Sequence, residues 1–169
     1  MGSARPTAID LFSGAGGMSL GVEQAGFDVR AAVEFDPIHA AVHAYNFPDC
    51  AVVCADITSV TGDTLRTAAR LGGRDLDLLF GGPPCQGFSS IGKRALDDPR
   101  NALVREFVRL VGELRPRAFI FENVPGLALG AHRCFFEELQ VALAGLGYRM
   151  PPYRVLDAPN TACHKGAVG

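Results

Sequence analysis

Apolar runs and amphipathic stretches take turns along this chain, and their order predicts its elements. TAIDLF (7–12) reads as a buried strand, broken by SGAGG. MSLGVEQAG (18–26) predicts a helix that stops at Gly26, and DVRAAVEF (28–35) a second strand. PIHAAVHAYNF (37–47) predicts a helix with Pro37 in its first turn, where a missing N–H breaks no helical bond. CAVVCADI (50–57) reads as a short strand. DTLRTAARLGG (63–73) predicts a helix capped by Asp63 and closed by glycines. LDLLF (76–80) is the next strand. NALVREFVRLVGELR (101–115) carries apolar residues at helical spacing and stops before Pro116. AFIFENV (118–124) reads as a fifth strand, CFFEELQVALAGLG (134–147) as a helix and YRVL (153–156) as a final strand.

Strand and helix alternating in this way predict an α/β fold, a doubly wound and mostly parallel sheet with helices on both faces. Ligands bind such sheets at the carboxyl ends of the strands, so chemistry is expected just after each apolar run. The 169 residues suffice for one domain with a real core, and no repeat, linker or low-complexity segment divides them. Hydrophobic residues make up 48% and charged residues 20%, and the net charge of −2 shows no global basic signal for nucleic acid. A local basic face is compatible with a neutral total. There is no long apolar segment and no charged-then-apolar leader, so the expectation is a soluble, cytoplasmic chain with no membrane partner. The odd count of five cysteines, without close CxxC pairs, argues for reduced thiols. Cys50 and Cys54 lack a second pair to complete a metal site. His39 and His43 share a helix face and, without a third ligand, read as solvated side chains. No metal is expected.

The candidate chemistry does fall at strand ends. The glycine-rich turn in DLFSGAGG (10–17) lets backbone approach a ligand and opens a helix N-terminus, although it is not the full GxGxxG spacing. Glu34 in VEFDP (33–37) ends the second strand, where an acid can accept hydrogen bonds from ribose hydroxyls. Asp56 in ADI (55–57) ends the third, where it can bond an exocyclic amine. Together they describe a nucleoside-containing cofactor across the sheet edge. Cys85 lies beyond the fourth strand, in a loop stiffened by Pro83 and Pro84 and turned by Gly82 and Gly87, as a rigidly held catalytic thiol requires. Glu122 follows buried residues at the end of the fifth strand, where burial would raise its pKa and favour a general-acid role.

The motifs DLFSGAGG, VEFDP, ADI, GGPPCQGFSS, RNALVREFVRLV and ENVPGL, in this order from Ala8 to about Leu156, resemble the N-terminal part of the DNA (cytosine-5-)-methyltransferases. The resemblance implies S-adenosylmethionine as cofactor and a cytosine flipped out of duplex DNA as substrate, as in a restriction-modification system. It implies that Phe12, Ser13, Gly14, Ala15, Gly16 and Gly17 line the methionine and adenosine site. Glu34 would hold the ribose, Phe35 the adenine, Asp56 and Ile57 its edge, and Pro84 and Leu103 would also touch the cofactor. Cys85 would add to C6 of the base while Glu122 bonds N3 and the amino group. Gln86, Ser89, Lys93, Arg94 and Arg100 would meet DNA from a loop over 86–99 that closes on it. An RNA cytosine-5 methyltransferase of the same family, and an inactive or regulatory split subunit, are the alternatives.

After YRVLDA (153–158) the family pattern continues with a segment like YGVPQxRxR, whereas this chain reads PNTACHKGAVG (159–169). Allowed codons for Asn160 to Gly169, read from the third base onward, spell YGVPQRRRR. The expectation is a catalytic domain over 1–158, truncated, and an aberrant tail over 159–169 read out of frame. The arginine segment and the target-recognition domain would then be missing, or supplied by a second polypeptide. Little methylation by the chain alone is expected.

Overall fold

The computed structural model describes residues 5–84, 101–128 and 133–156. Its elements are β1 (Thr7–Leu11), α1 (Gly17–Gln24), β2 (Asp28–Glu34), α2 (Pro37–Asn46), β3 (Ala51–Cys54), α3 (Gly62–Ala68), β4 (Leu78–Gly81), α4 (Ala102–Leu114), β5 (Ala118–Phe121) and α5 (Arg133–Gly145), with 3-10 turns at Ile57–Ser59 and Pro125–Ala128. All strand pairs are parallel, in the order β3-β2-β1-β4-β5. The predicted doubly wound α/β sheet is therefore the fold.

β1 is buried at every position, as expected for a strand flanked on both sides and covered on both faces. Its side chains alternate between two cores. Ile9 and Leu11 join Ala31, Val33 and Leu79 under α3, α4 and α5. Ala8 joins Val29, Ala32, Leu78 and Phe80 with Val22 of α1 and Phe47 after α2. Asp10 shares the parity of Ala8, so it points toward the α1 and α2 side. The chain reverses direction across the sheet between β1 and β4, which opens a crevice at their carboxyl ends.

Three local expectations are corrected. YRVL forms no strand: residues 153–156 are exposed and pair with no strand among the described residues. α3 is capped by Thr61, whose hydroxyl accepts from the Thr64 amide, while Asp63 lies within the first turn. β5 alternates between exposed and half-buried positions and is not a buried run. Pro37 does open α2, with Asp36 as cap accepting from the Ile38 and His39 amides.

Candidate active site

Four strand ends meet at one cavity of about 450 Å³, lined by Phe12, Val33, Glu34, Phe35, Ala55, Asp56, Ile57, Gly82, Pro84 and Leu103. Seven of the twelve residues that the resemblance assigns to the cofactor are among these: Phe12, Glu34, Phe35, Asp56, Ile57, Pro84 and Leu103. The other five, Ser13 to Gly17, form the turn beside it that leads from β1 into α1.

Glu34 joins that turn to the cavity. Its Oε2 accepts from the Gly14 amide at 2.8 Å and its Oε1 from the Asp36 amide at 2.9 Å. Each oxygen keeps a further lone pair for a ligand hydroxyl. Asp56 is held through Oδ1, which accepts from the Thr58 amide and hydroxyl at 2.9 and 2.8 Å. Those bonds hold its carboxyl below the ordinary range, so it is an acceptor at neutral pH. Phe35 is 72% exposed, an aromatic face presented at the rim rather than packed in the core.

The turn itself is tightly anchored. Gly14 and Gly16 have φ of 52° and 98°, the left-handed region that glycine occupies without strain. A Cβ at Gly16 would collide with the Phe47 ring, so this position also needs the missing side chain for packing. Asn46 Nδ2 donates to the Ala15 carbonyl at 3.0 Å. Ser13 Oγ is buried with no hydrogen-bond partner among the described residues. A buried hydroxyl left this way is open to a hydrogen bond from outside the described residues.

Several residues that act here were not read from the sequence. Asp10, 1% exposed, accepts from Ser19 Oγ at 2.6 Å, and Ser19 Oγ lies 3.1 Å from His43 Nε2. Burial pushes the Asp10 carboxyl up to about 7, against the Ser19 hydrogen bond and with help from the Glu34 charge. His43, expected in solvent, is fully buried and stacks on Phe47, and burial holds its imidazole below the ordinary value. The signal available was one charged residue inside the apolar run TAIDLF. From α4, Arg109 Nη2 donates to the Ile57 and Val60 carbonyls at 3.1 and 2.8 Å, and Glu113 accepts from the Gly62 amide at 2.7 Å. This brackets the turn that carries Asp56 and Ile57.

At the ends of β4 and β5, the Glu122 amide donates to the Gly81 carbonyl and Asn123 Nδ2 donates to the Pro83 carbonyl at 2.8 Å. A Cβ on Gly82 would lie 2.5 Å from Glu122 Oε2, so the carboxylate sits directly over this glycine. Glu122 is exposed, which corrects the expectation of a buried carboxylate: its strand is the sheet edge. Cys85, Gln86, Ser89, Lys93, Arg94 and Arg100 lie outside the described residues. So does the tail from residue 157. Among the described residues no cluster of His, Cys, Asp or Glu could hold a metal, and no helix is long and apolar enough to cross a membrane.

Residues 7–164 match the family described as C-5 cytosine-specific DNA methylase. The chain belongs to this family. It is 59% identical over 155 residues to the Type II methyltransferase M.XorII of Xanthomonas oryzae, covering 91% of this chain and 37% of that protein. It is 49% identical over 120 residues to the Type II methyltransferase M.AquIA of a Picosynechococcus strain, covering 70% of this chain and 48% of that one. A solved structure described as a DNA modification methyltransferase encoded within an E. coli prophage superposes with a TM-score of 0.70 at 40% identity, over 83% of this chain and 38% of the other. DNMT2 of Spodoptera frugiperda superposes at 0.59 with 25% identity, over 82% of this chain and 41% of the other. This C-5 cytosine methylase chain thus spans less than half the length of these relatives.

Proposed function

We propose that this chain is the cofactor-binding and catalytic part of an enzyme that methylates C5 of cytosine in duplex DNA, in a restriction-modification system. The observation that carries the reading is the convergence of Glu34, Asp56 and the glycine turn on one cavity that also includes Gly82 and Pro84, next to Cys85 in sequence. The cavity is apolar at Phe12, Phe35, Ile57 and Leu103, carries acids at two strand ends and adjoins the Ser13 hydroxyl, which has no partner among the described residues. That combination fits S-adenosylmethionine: Glu34 for the ribose, Phe35, Asp56 and Ile57 for the adenine, and Ser13 to Gly17 for the amino-acid end. When bound, this cofactor supplies an electrophilic methyl group.

The chain's own residues prepare the base. Cytosine C5 is a poor nucleophile. Addition of the Cys85 thiolate to C6 pushes electrons toward C5. Glu122, held above Gly82, bonds N3 and the amino group of the ring and stabilises the charge that develops there. Loss of the C5 proton and elimination of the thiolate then restore the ring and free Cys85. The base reaches Cys85 only when flipped from the duplex, with Gln86, Ser89, Lys93, Arg94 and Arg100 as the DNA contacts.

β5 hydrogen-bonds to β4 alone among the described strands, and Ile120 is 47% exposed on it. An apolar groove of about 460 Å³ beside it includes Phe119, Phe121, Phe136, Leu143 and Tyr153. In this reading further methyltransferase polypeptide, from a second chain or from a restored frame, covers that edge and brings target recognition.

The deciding experiment is covalent trapping on duplex DNA carrying 5-fluorocytosine at target sites, with S-adenosylmethionine, by this chain joined to the C-terminal part of a Type II relative. A Cys85-dependent adduct is expected, with none from the chain alone. Trapping on tRNA in preference to DNA would move the substrate to RNA. Cofactor binding without any adduct would point to a regulatory subunit.

A further inference from the structure

Beneath the glycine turn, three polar side chains from three elements meet where the sheet is otherwise apolar. Asp10 comes from β1, Ser19 from the first turn of α1 and His43 from the last turn of α2. Ser19 and His43 are wholly inaccessible and Asp10 nearly so. Their spacing, 2.6 Å and then 3.1 Å, forms one continuous hydrogen-bonded line. The line ends at His43 Nδ1, which is buried without a partner among the described residues. His43 Cδ2 and the Phe47 ring lie against Gly16, and Asn46, on the same helix, holds the Ala15 carbonyl. The line thus ties together the strand before the turn, the helix after it and the helix packed against it.

A buried serine between a carboxylate and an imidazole has two proton arrangements. With Asp10 ionised, the Ser19 hydroxyl donates to it, so His43 must carry its proton on Nε2 and donate to Ser19. With Asp10 protonated, Asp10 donates to Ser19, Ser19 donates to Nε2, and the His43 proton sits on Nδ1. One proton added at Asp10 therefore moves the histidine proton across its ring.

We propose that Asp10, Ser19 and His43 are positioning residues, a buried proton chain that holds the glycine turn for the cofactor and releases the Asp10 proton when the cofactor binds. This rests on the S-adenosylmethionine reading of the cavity. The cofactor carries a net positive charge, which favours the ionised carboxylate. The other groups around Asp10 are Glu34 on β2 and Cys50 after α2. Glu23 of α1 and Arg30 of β2 act on Cys50. Glu34 opposes ionisation of Asp10, and the cofactor's positive charge acts against that effect. Burial places the titration of Asp10 near neutrality, within reach of an affinity measurement.

The test uses the full chain, calorimetric titration with S-adenosylmethionine between about pH 6 and about pH 8, and imidazole nitrogen shifts of His43. Proton release on binding makes affinity rise with pH, by up to about tenfold per unit below the titration. The His43 proton is expected to pass from Nδ1 to Nε2 over the same range in the free chain. Asp10→Asn should flatten the affinity profile, and His39→Asn should leave it unchanged. Ser19→Ala should uncouple the His43 tautomer from pH and move the affinity profile to higher pH, since a bond to the ionised carboxylate is lost. Melting curves identify any variant that does not fold, and the wild-type profile and tautomer remain decisive then. Cofactor affinity that is flat with pH, or a His43 tautomer that does not change, overturns this inference alone. No cofactor binding at any pH overturns the cavity reading and this inference with it.

Discussion

Asp10 is the residue at which stability and function pull apart. Its carboxyl ionises near 4 in an unfolded chain and near 7 here, so the folded state holds the extra proton between those values. Stability contributed by Asp10 is then fully present below about pH 4 and is lost as pH rises through 7. Asp10→Asn is expected to stabilise the chain at pH 8 by up to about 4 kcal/mol relative to wild type and to change little near pH 4. Urea unfolding at the two pH values measures this, and an Asn variant no more stable at pH 8 contradicts the burial argument. Gly82 makes the opposite case, a residue whose value is space. A Cβ there meets only the flexible end of Glu122, so Gly82→Ala should cost less than about 1 kcal/mol of stability. It should nonetheless lower methyl transfer by the complemented enzyme at least roughly tenfold, since a displaced carboxylate no longer meets the developing charge. Wild-type turnover from this variant would remove Glu122 from the chemistry.

α4 shows how an element does more than its amphipathic pattern announces. Val104, Phe107, Leu110, Val111 and Leu114 bury its apolar face, and that much follows from spacing. The polar side carries Arg109, paired with Glu106 and Glu113, and Arg109 and Glu113 bracket the turn after β3. These partners lie about fifty residues apart in sequence, so no local pattern reveals them. Arg109→Ala leaves the Ile57 and Val60 carbonyls without this donor and should destabilise by about 2 kcal/mol. It should also weaken cofactor binding roughly tenfold, equivalent to about 1.4 kcal/mol. Calorimetry and thermal melting separate the two effects. Arg109→Lys should restore charge but not the double carbonyl contact, so affinity recovering fully with Lys would argue against the clamp. The failure of YRVL as a strand belongs to this scale too. β-branched and aromatic alternation marks a segment fit for pairing, but a strand exists only where a neighbour offers its backbone.

At the scale of the molecule, β1 lies at the centre of the described sheet and β3 and β5 are its two edges. An exposed edge with Ile120 outward and an apolar groove alongside is a template for association. The isolated chain is expected to self-associate, and Ile120→Lys to reduce that association, as followed by light scattering. A monodisperse wild-type chain would show that the edge is already protected. The coding DNA for residues 150–169 tests the proposed frame. A shifted reading of YGVPQRRRR that runs on into more methyltransferase would supply the cover for this edge, and an unrelated reading would send the search to a partner chain.

The order of apolar runs was enough to determine the alternation of strands and helices, because each element must bury one face and its period reveals which. Glu34, Asp56 and the glycine turn were legible for the same reason: a parallel sheet sends its strand ends to one side, and these residues follow apolar runs directly. Tertiary structure decided what depends on contacts between distant segments. It put His43 against Ser19 in the interior, set Glu122 over Gly82 at an exposed edge, and joined Arg109 to the turn after β3. Burial and hydrogen bonding are properties of neighbours in space, and a sequence lists only neighbours along the chain.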